Sequence, residues 1–411
     1  MKIKCIVFFV FLFLLTDSNS FAAKEEKNSK PCIQCHKEAT PAVVEQFSSG
    51  KMGLSGMDCS ACHGEGHQKG QEDKGLAEFP THETCKTCHP VQAEQNSSGK
   101  HALGWEAMKV MPFMENQPEV AVEKGDSGCS MCHKIGLITR EDKTRPGAAA
   151  CTSCHSMHVF SKKEASDPRT CQSCHSGPRH DQWTMWSDSR HGTLWQIHGD
   201  KNSHAPTCQT CHMPEGNHRV MTAWGFLAIR LPEDNKTWLE DRVVILQALG
   251  IFDEQGNPAS RFGFIEKHKM ARLTKADFDK ERQNMINICS KCHSASLAEN
   301  TFKSSELIIR EADKLMAEAI KIVQALYRDD ILEKPEKWKT APDLLQCYEA
   351  TSSVEQTLYK MFFNYRMHTV QGAFHLNAND MQWNGWALMK ESLTRIRDED
   401  KRLRAEHRLQ L

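Results

Sequence analysis

The chain has 411 residues, a net charge of −1 from 52 basic and 53 acidic side chains, and 18 cysteines. Near-neutral charge gives no hint of nucleic acid or an acidic membrane as partner, and the length ordinarily suggests two or three domains. The cysteine count dominates everything else in the composition.

The first residues, MKIKCIVFFVFLFLLTDSNSFAA, join Lys2 and Lys4 to an apolar run through Leu15 and then to small residues suited to cleavage near Ala22 or Ala23. This reads as an export signal over residues 1–23. The run is too short for a good transmembrane span and no later segment comes close to one, so a soluble protein outside the cytoplasm, such as a periplasmic one, is expected. Cys5 falls inside the signal and receives no role.

Exported cysteines first suggest disulfides, but the spacing contradicts that. Sixteen of them lie in CIQCH (Cys32, Cys35, His36), CSACH (Cys59, Cys62, His63), CKTCH (Cys85, Cys88, His89), CSMCH (Cys129, Cys132, His133), CTSCH (Cys151, Cys154, His155), CQSCH (Cys171, Cys174, His175), CQTCH (Cys208, Cys211, His212) and CSKCH (Cys289, Cys292, His293). Two thiols at this spacing bond the vinyl groups of a porphyrin, and the next imidazole lands on its iron as proximal ligand. Zinc knuckles or redox dithiols would not need a histidine after every CxxC. The sequence therefore predicts eight c-type haems. Bulky apolar haems supply the core that the polar N-terminal half lacks, which predicts a mainly α multihaem cytochrome c of haem-wrapping loops and short helices over residues 24–296, with little sheet. The first seven motifs are close enough in sequence to force neighbouring porphyrins together, so electrons can move along the irons.

Thr274 and Asp277 give a capping signal for a helix leading into CSKCH. Beyond it the pattern becomes helical, with apolar residues at Ile308, Leu315, Ala319, Ile322 and Leu326, and later at Trp386, Met389, Leu393 and Ile396. Between these, APDLLQCYEATSSVEQTLYKMFFNYRMH starts with Pro342 at a first-turn position and predicts another long helix. Residues 297–411 are thus expected to form a bundle of long helices. Cys347, the cysteine left over, reads as an ordinary buried helix position.

Of 21 histidines, eight are proximal. Haems that only carry electrons usually hold a second strong ligand, whereas a haem that does chemistry needs an open position. Here GCSMCH at the fourth motif, CHSMHVFS at the fifth, CHSGPRHDQW followed by SRHG at the sixth and APTCQTCHMPEGNH at the seventh resemble the octahaem hydroxylamine oxidoreductase family, from about residue 30 to 390. The resemblance implies an open fourth haem held by His133. It also implies distal ligands at His67, His101, His158, His191, His218 and His375. The remaining distal histidine of the family falls at Met52, where a thioether could ligate and raise the potential; alternatively Met52 is an apolar neighbour and a residue such as His82 ligates. By the same resemblance His180 stands over the open face, suited by its near-neutral pKa to proton delivery. His198, His204, His268, His368 and His407 have no assigned role.

Four departures from the family concern direction. Oxidising members carry a C-terminal tyrosine from a neighbouring subunit that cross-links the catalytic porphyrin. The matching stretch HLNANDMQWNGW has none, and its nearest residues are Gln382 and Trp383. A second pocket tyrosine is replaced in TAWGFLAI by Phe226 and Leu227. Residues 232–262 add a helical segment absent from the cross-linked enzymes. The resemblance is thus to members that reduce nitrite or hydroxylamine. The aspartate preceding the family's catalytic histidine is Arg179 here, and a guanidinium attracts an anion that a carboxylate would repel; the alternative is an outward Arg179 paired with Asp181 or a propionate. The expected partners are a small nitrogen-oxide substrate and an electron donor, either a cytochrome or a membrane quinol dehydrogenase. A homotrimer is implied by resemblance. Hydroxylamine or hydrazine oxidation, and a pure electron conduit with all haems six-coordinate, are the rival functions.

Overall fold

The computed structural model describes residues 31–410 except 65–79, 110, 113, 115–116, 125–127, 136–149, 178–179, 200–204, 223–229, 269–273 and 347–348. The predicted export signal over residues 1–23, His67, Arg179, His204, Phe226, Leu227 and Cys347 lie outside the described residues. Those described form helices and turns with no strand, apart from one antiparallel bridge between Phe252 and Pro258. The fold is mainly α, as the sequence predicts.

Up to Gly216 the helices are short, none longer than the nine residues of Pro31–Ala39, Pro41–Ser49 and Arg190–His198. Each CxxCH supplies its own helical turn. The histidine N–H donates to the carbonyl of the first cysteine at 2.9–3.0 Å in the motifs ending at His63, His89, His133, His155, His175 and His293. That i to i−4 bond puts both cysteines and the histidine on one face of a single turn, which is the geometry a covalently attached porphyrin requires.

The Ala295–Arg328 helix is the spine of the C-terminal part. Ile309, Ala312, Met316, Ala319, Ile320, Val323 and Leu326 on it are buried, as are Met389, Leu393 and Ile396 on Ala387–Gln410. Ile308 is only half-buried, and Ile309 takes the inward position instead. The same core includes Ile245, Leu246 and Leu249 from in and beside the Lys236–Ala248 helix, so residues from before Cys289 pack within it. Thr274 caps Lys275–Cys289 as predicted, its hydroxyl accepting from Asp277 N at 3.2 Å and donating to the Asp277 carboxylate at 2.8 Å.

The long helix predicted from Pro342 begins instead at Ser353, where Ser353–Lys360, Met361–Arg366 and Met367–Phe374 run on as one element. Tertiary bonds hold the preceding stretch in turns. Asp343 is fully buried and takes two bonds from Arg261 at 3.0 and 2.8 Å, caps Leu345 N at 3.1 Å, and its neighbour Leu344 N donates to Ala248 O at 2.8 Å. A proline at a first turn is compatible with a helix, but a buried aspartate bonding its own backbone competes with one.

Asp313 ties this core together. It is fully buried and accepts from Trp238 Nε1 at 2.7 Å, Arg242 Nε at 2.9 Å and Arg366 Nε at 3.0 Å, thereby joining three helices. Burial alone would raise its carboxyl, but Arg242 and Arg366 hold it below the ordinary value. Burial pushes the Arg242 guanidinium down to about 10. Removing one partner from such a network strands buried charge, so Asp313→Asn is expected to cost about 3–5 kcal/mol in urea unfolding followed by far-UV circular dichroism. The lowered carboxyl fixes the sign with pH: this stabilisation is complete above the unfolded aspartate value of about 3.9 and is lost as pH falls through the lower folded value.

Candidate haem sites and the fourth motif

The motif turns open onto one continuous cavity of about 3500 Å³, whose wall includes the described CxxCH cysteines and histidines together with Met52, Val44 and Phe374. Single-ligand sites are on the order of 300–1,000 Å³, so this space suits several large ligands side by side.

Across the cavity, histidine rings face each other in pairs. His63 faces His158 with ring centres 6.1 Å apart, His101 faces His175 at 6.1 Å, His191 faces His293 at 6.1 Å, His155 faces His218 at 6.2 Å, and His212 faces His375 at 6.4 Å. Two histidine–metal bonds of about 2 Å placed end to end, plus about 1 Å from each nitrogen to its ring centre, separate the centres by about 6 Å. The spacing therefore fits pairs of imidazoles that would hold one iron between them. Burial pushes His101 and His375 down to about 4 and lowers His133, with neighbouring His175 contributing at His101 and His133. These rings are neutral at physiological pH, the form that binds a metal.

Their outer nitrogens are anchored. His36 Nδ1 lies 2.8 Å from Thr40 Oγ1, His212 Nδ1 2.7 Å from Met221 O, His218 Nδ1 2.8 Å from Gly216 O, and His375 Nδ1 2.8 Å from Gln371 O. Bonds of this kind orient a ligand ring and fix its tautomer.

The fourth motif differs. His133 faces His180 at 5.7 Å with the rings inclined by 61°, whereas the other five pairs are inclined by 16–44°. His180 is exposed and sits in the wall of the common cavity. Met52 lines the same cavity as His36. His82 is buried away from that wall: its Nε2 is taken up by Ala93 O at 3.0 Å and Ser97 Oγ at 3.1 Å, so this ring is not presented to an iron.

Sulfur neighbours show how the motifs follow one another. Cys62 lies near Cys85 and Cys88, Cys85 lies beside Cys151, Cys154 lies near Cys171 and Cys174, Cys171 lies beside Cys208, and Cys211 lies near Cys289 and Cys292. The second, third, fifth, sixth, seventh and eighth motifs therefore form a file, and the fourth joins it at the sixth, where His133 neighbours His175. Two residues of this surrounding that the motifs do not announce are Gln182, which meets His175, and Gln371, which meets Gln182.

A file of CxxCH turns with facing imidazoles in an all-helical fold defines a multihaem c-type cytochrome. The sequence matches the family described as seven times multi-haem cytochrome CxxCH over residues 54–244 and 252–339, and this chain belongs to it. Residues 15–64 also match the family of cytochrome c554 and c-prime. Among curated proteins it is 24% identical, over 91% of its length, to 51% of a probable nitrite reductase-hydroxylamine oxidoreductase fusion protein of Kuenenia stuttgartiensis. It is also 24% identical, over 46% of its length, to 47% of the multiheme cytochrome MtrA of Shewanella baltica (strain OS185). The chain thus spans about half the length of the curated relatives it matches. In fold it is similar to a chain of the reducing HAO-like protein complex of Kuenenia stuttgartiensis, with a TM-score of 0.69, 22% identity and coverage of 92% of this chain and 86% of that one. A hypothetical multiheme protein gives a TM-score of 0.66 at 18% identity, covering 93% and 97%.

If each CxxCH carries one haem, the intact mass of the purified protein under denaturing conditions will show eight haem increments; a smaller number would mean that some motifs stay unloaded. His82→Leu is expected to leave the low-spin absorption bands and the haem content unchanged, whereas His101→Ala should remove one low-spin component.

Proposed function

We propose that this chain is an exported, periplasmic cytochrome that reduces nitrite, and hydroxylamine, to ammonium at the fourth haem. The observation that carries this reading is the fourth motif: a CxxCH histidine opposed by His180 at an inclination unlike that of the other pairs. In the loaded protein, haem irons would accept and store electrons and offer a substrate site at the fourth motif. Cysteines of the eight motifs would hold the porphyrins; the motif histidines, with Met52, His67, His101, His158, His191, His218 and His375 opposite seven of them, would hold the irons.

The remaining steps belong to this chain's own residues. His133 presents a neutral ring from a half-buried turn and fixes the depth of the fourth site. His180 stands opposite, close enough to pass protons to oxygen atoms leaving as water. Arg179 precedes it in sequence and would balance the charge of an entering anion. Hydroxylamine carries no such charge, so Arg179 discriminates between the two substrates. The lack of tyrosine over residues 375–386 removes the cross-link on which the oxidative direction depends in the family that the motifs resemble. Electrons would enter from a partner cytochrome or a membrane quinol dehydrogenase. Among the described residues no helix is long and apolar enough to cross a membrane. The resemblance also implies assembly as a homotrimer.

A second reading has its own support. The 5.7 Å between His133 and His180 is close to the spacing of the other pairs, and one relative is the multiheme cytochrome MtrA. His180 would then be an axial ligand and the chain a conduit.

With an artificial low-potential donor, purified protein is expected to convert nitrite to ammonium, and His180→Ala to lower turnover about 10²-fold or more. Arg179→Asp should lower kcat/KM for nitrite far more than for hydroxylamine. Equal losses on both substrates would make Arg179 structural, and no ammonium from either would favour the conduit.

A further inference from the structure

We propose that Gln182 positions and tunes His175, and that Gln371 holds Gln182 in place from the C-terminal helix. His175 Nδ1 lies 3.1 Å from Gln182 Oε1, and Gln182 Nε2 donates to Gln371 Oε1 at 2.9 Å. One turn along, the backbone carbonyl of the same Gln371 receives His375 Nδ1 at 2.8 Å. Two side-chain amides therefore link an imidazole of the sixth motif to the imidazole facing the seventh.

The amide orientation follows from chemistry. A histidine that gives Nε2 to a metal carries its proton on Nδ1, so it needs an acceptor there. The Gln182 carbonyl is that acceptor, and the reversed amide would bring two donors face to face. The bond does two things. It fixes the rotation of the His175 ring, and it increases the ring's basicity, which favours oxidised over reduced iron. Gln371 strengthens the effect by accepting from the other end of the same amide.

The surrounding segment is pinned by the same helix region. Ligating atoms of Asp181, His368 and Asp380 lie within 4.8 Å of one another, and Asn377 Nδ2 donates to Met185 O at 3.2 Å. Asp181 and Gln182 thus meet His368 and Gln371 of the Met367–Phe374 helix directly. His175 acts electrostatically on His133, so in the proposed function Gln182 would tune a haem site that bears on the fourth. That last consequence rests on the function proposed above; the tuning itself does not.

The test is a redox titration of the purified haem-loaded protein followed by electron paramagnetic resonance. Gln182→Leu should raise one midpoint potential and alter the g-values of one low-spin component, leaving the others unchanged. Gln182→Glu, which keeps the shape and strengthens the acceptor, should lower the same midpoint. Gln371→Leu should shift it in the direction of Gln182→Leu but by less. Unchanged midpoints in all three variants, or shifts of one sign for both Gln182 variants, would overturn the proposal. Opposite shifts in a protein that makes no ammonium would uphold the tuning and remove only its link to nitrite reduction.

Discussion

Two imidazoles that share one metal must stand about 6 Å apart, centre to centre, and five pairs here do so across a cavity that side chains leave open. The N-terminal half depends on that constraint. Its helices are too short to be stable alone, and few of its apolar residues are buried compared with the C-terminal core. What would replace a hydrophobic core is a series of porphyrin faces, each attached through the two cysteines of one helical turn, with facing imidazoles from two parts of the chain at five of them. Each such pair also acts as a long-range staple: His101 reaches His175, and His212 reaches His375.

The C-terminal part solves a different problem. The Ala295–Arg328 spine packs by ordinary burial and is locked by a carboxylate shared between two guanidiniums. It then extends a functional arm into the haem region. Gln371 near the end of the Met367–Phe374 helix, and His375 and Asn377 just beyond it, meet in turn Gln182, His212 and Met185. A shift of that helix would reach the segment carrying His180 directly.

Much of this was legible in the sequence because covalent haem attachment leaves a fixed local signature. CxxCH needs no tertiary context, so the all-helical haem-wrapping character followed from eight short strings. The heptad-like spacing of Met389, Leu393 and Ile396 was equally readable, since it is a local pattern. The turn at Pro342 was not, because Asp343 is recruited by Arg261, 82 residues away. Gln182 and Gln371 were hidden for the same reason: a glutamine has no marked preference until an imidazole stands beside it, and the two are separated by 189 positions. The fourth motif is intermediate. Its resemblance to a known pattern singles out His180, and in the structure this ring faces His133 at an angle of its own.

Nitrite reduction as proposed requires that His180 stand beside the fourth iron without binding it. Electron paramagnetic resonance of the fully oxidised protein addresses this most directly. A high-spin ferric component from one haem, converted to another form when nitrite or hydroxylamine is added, is expected. A spectrum containing only low-spin haems, unchanged by either substrate, would place His180 on the iron and contradict it.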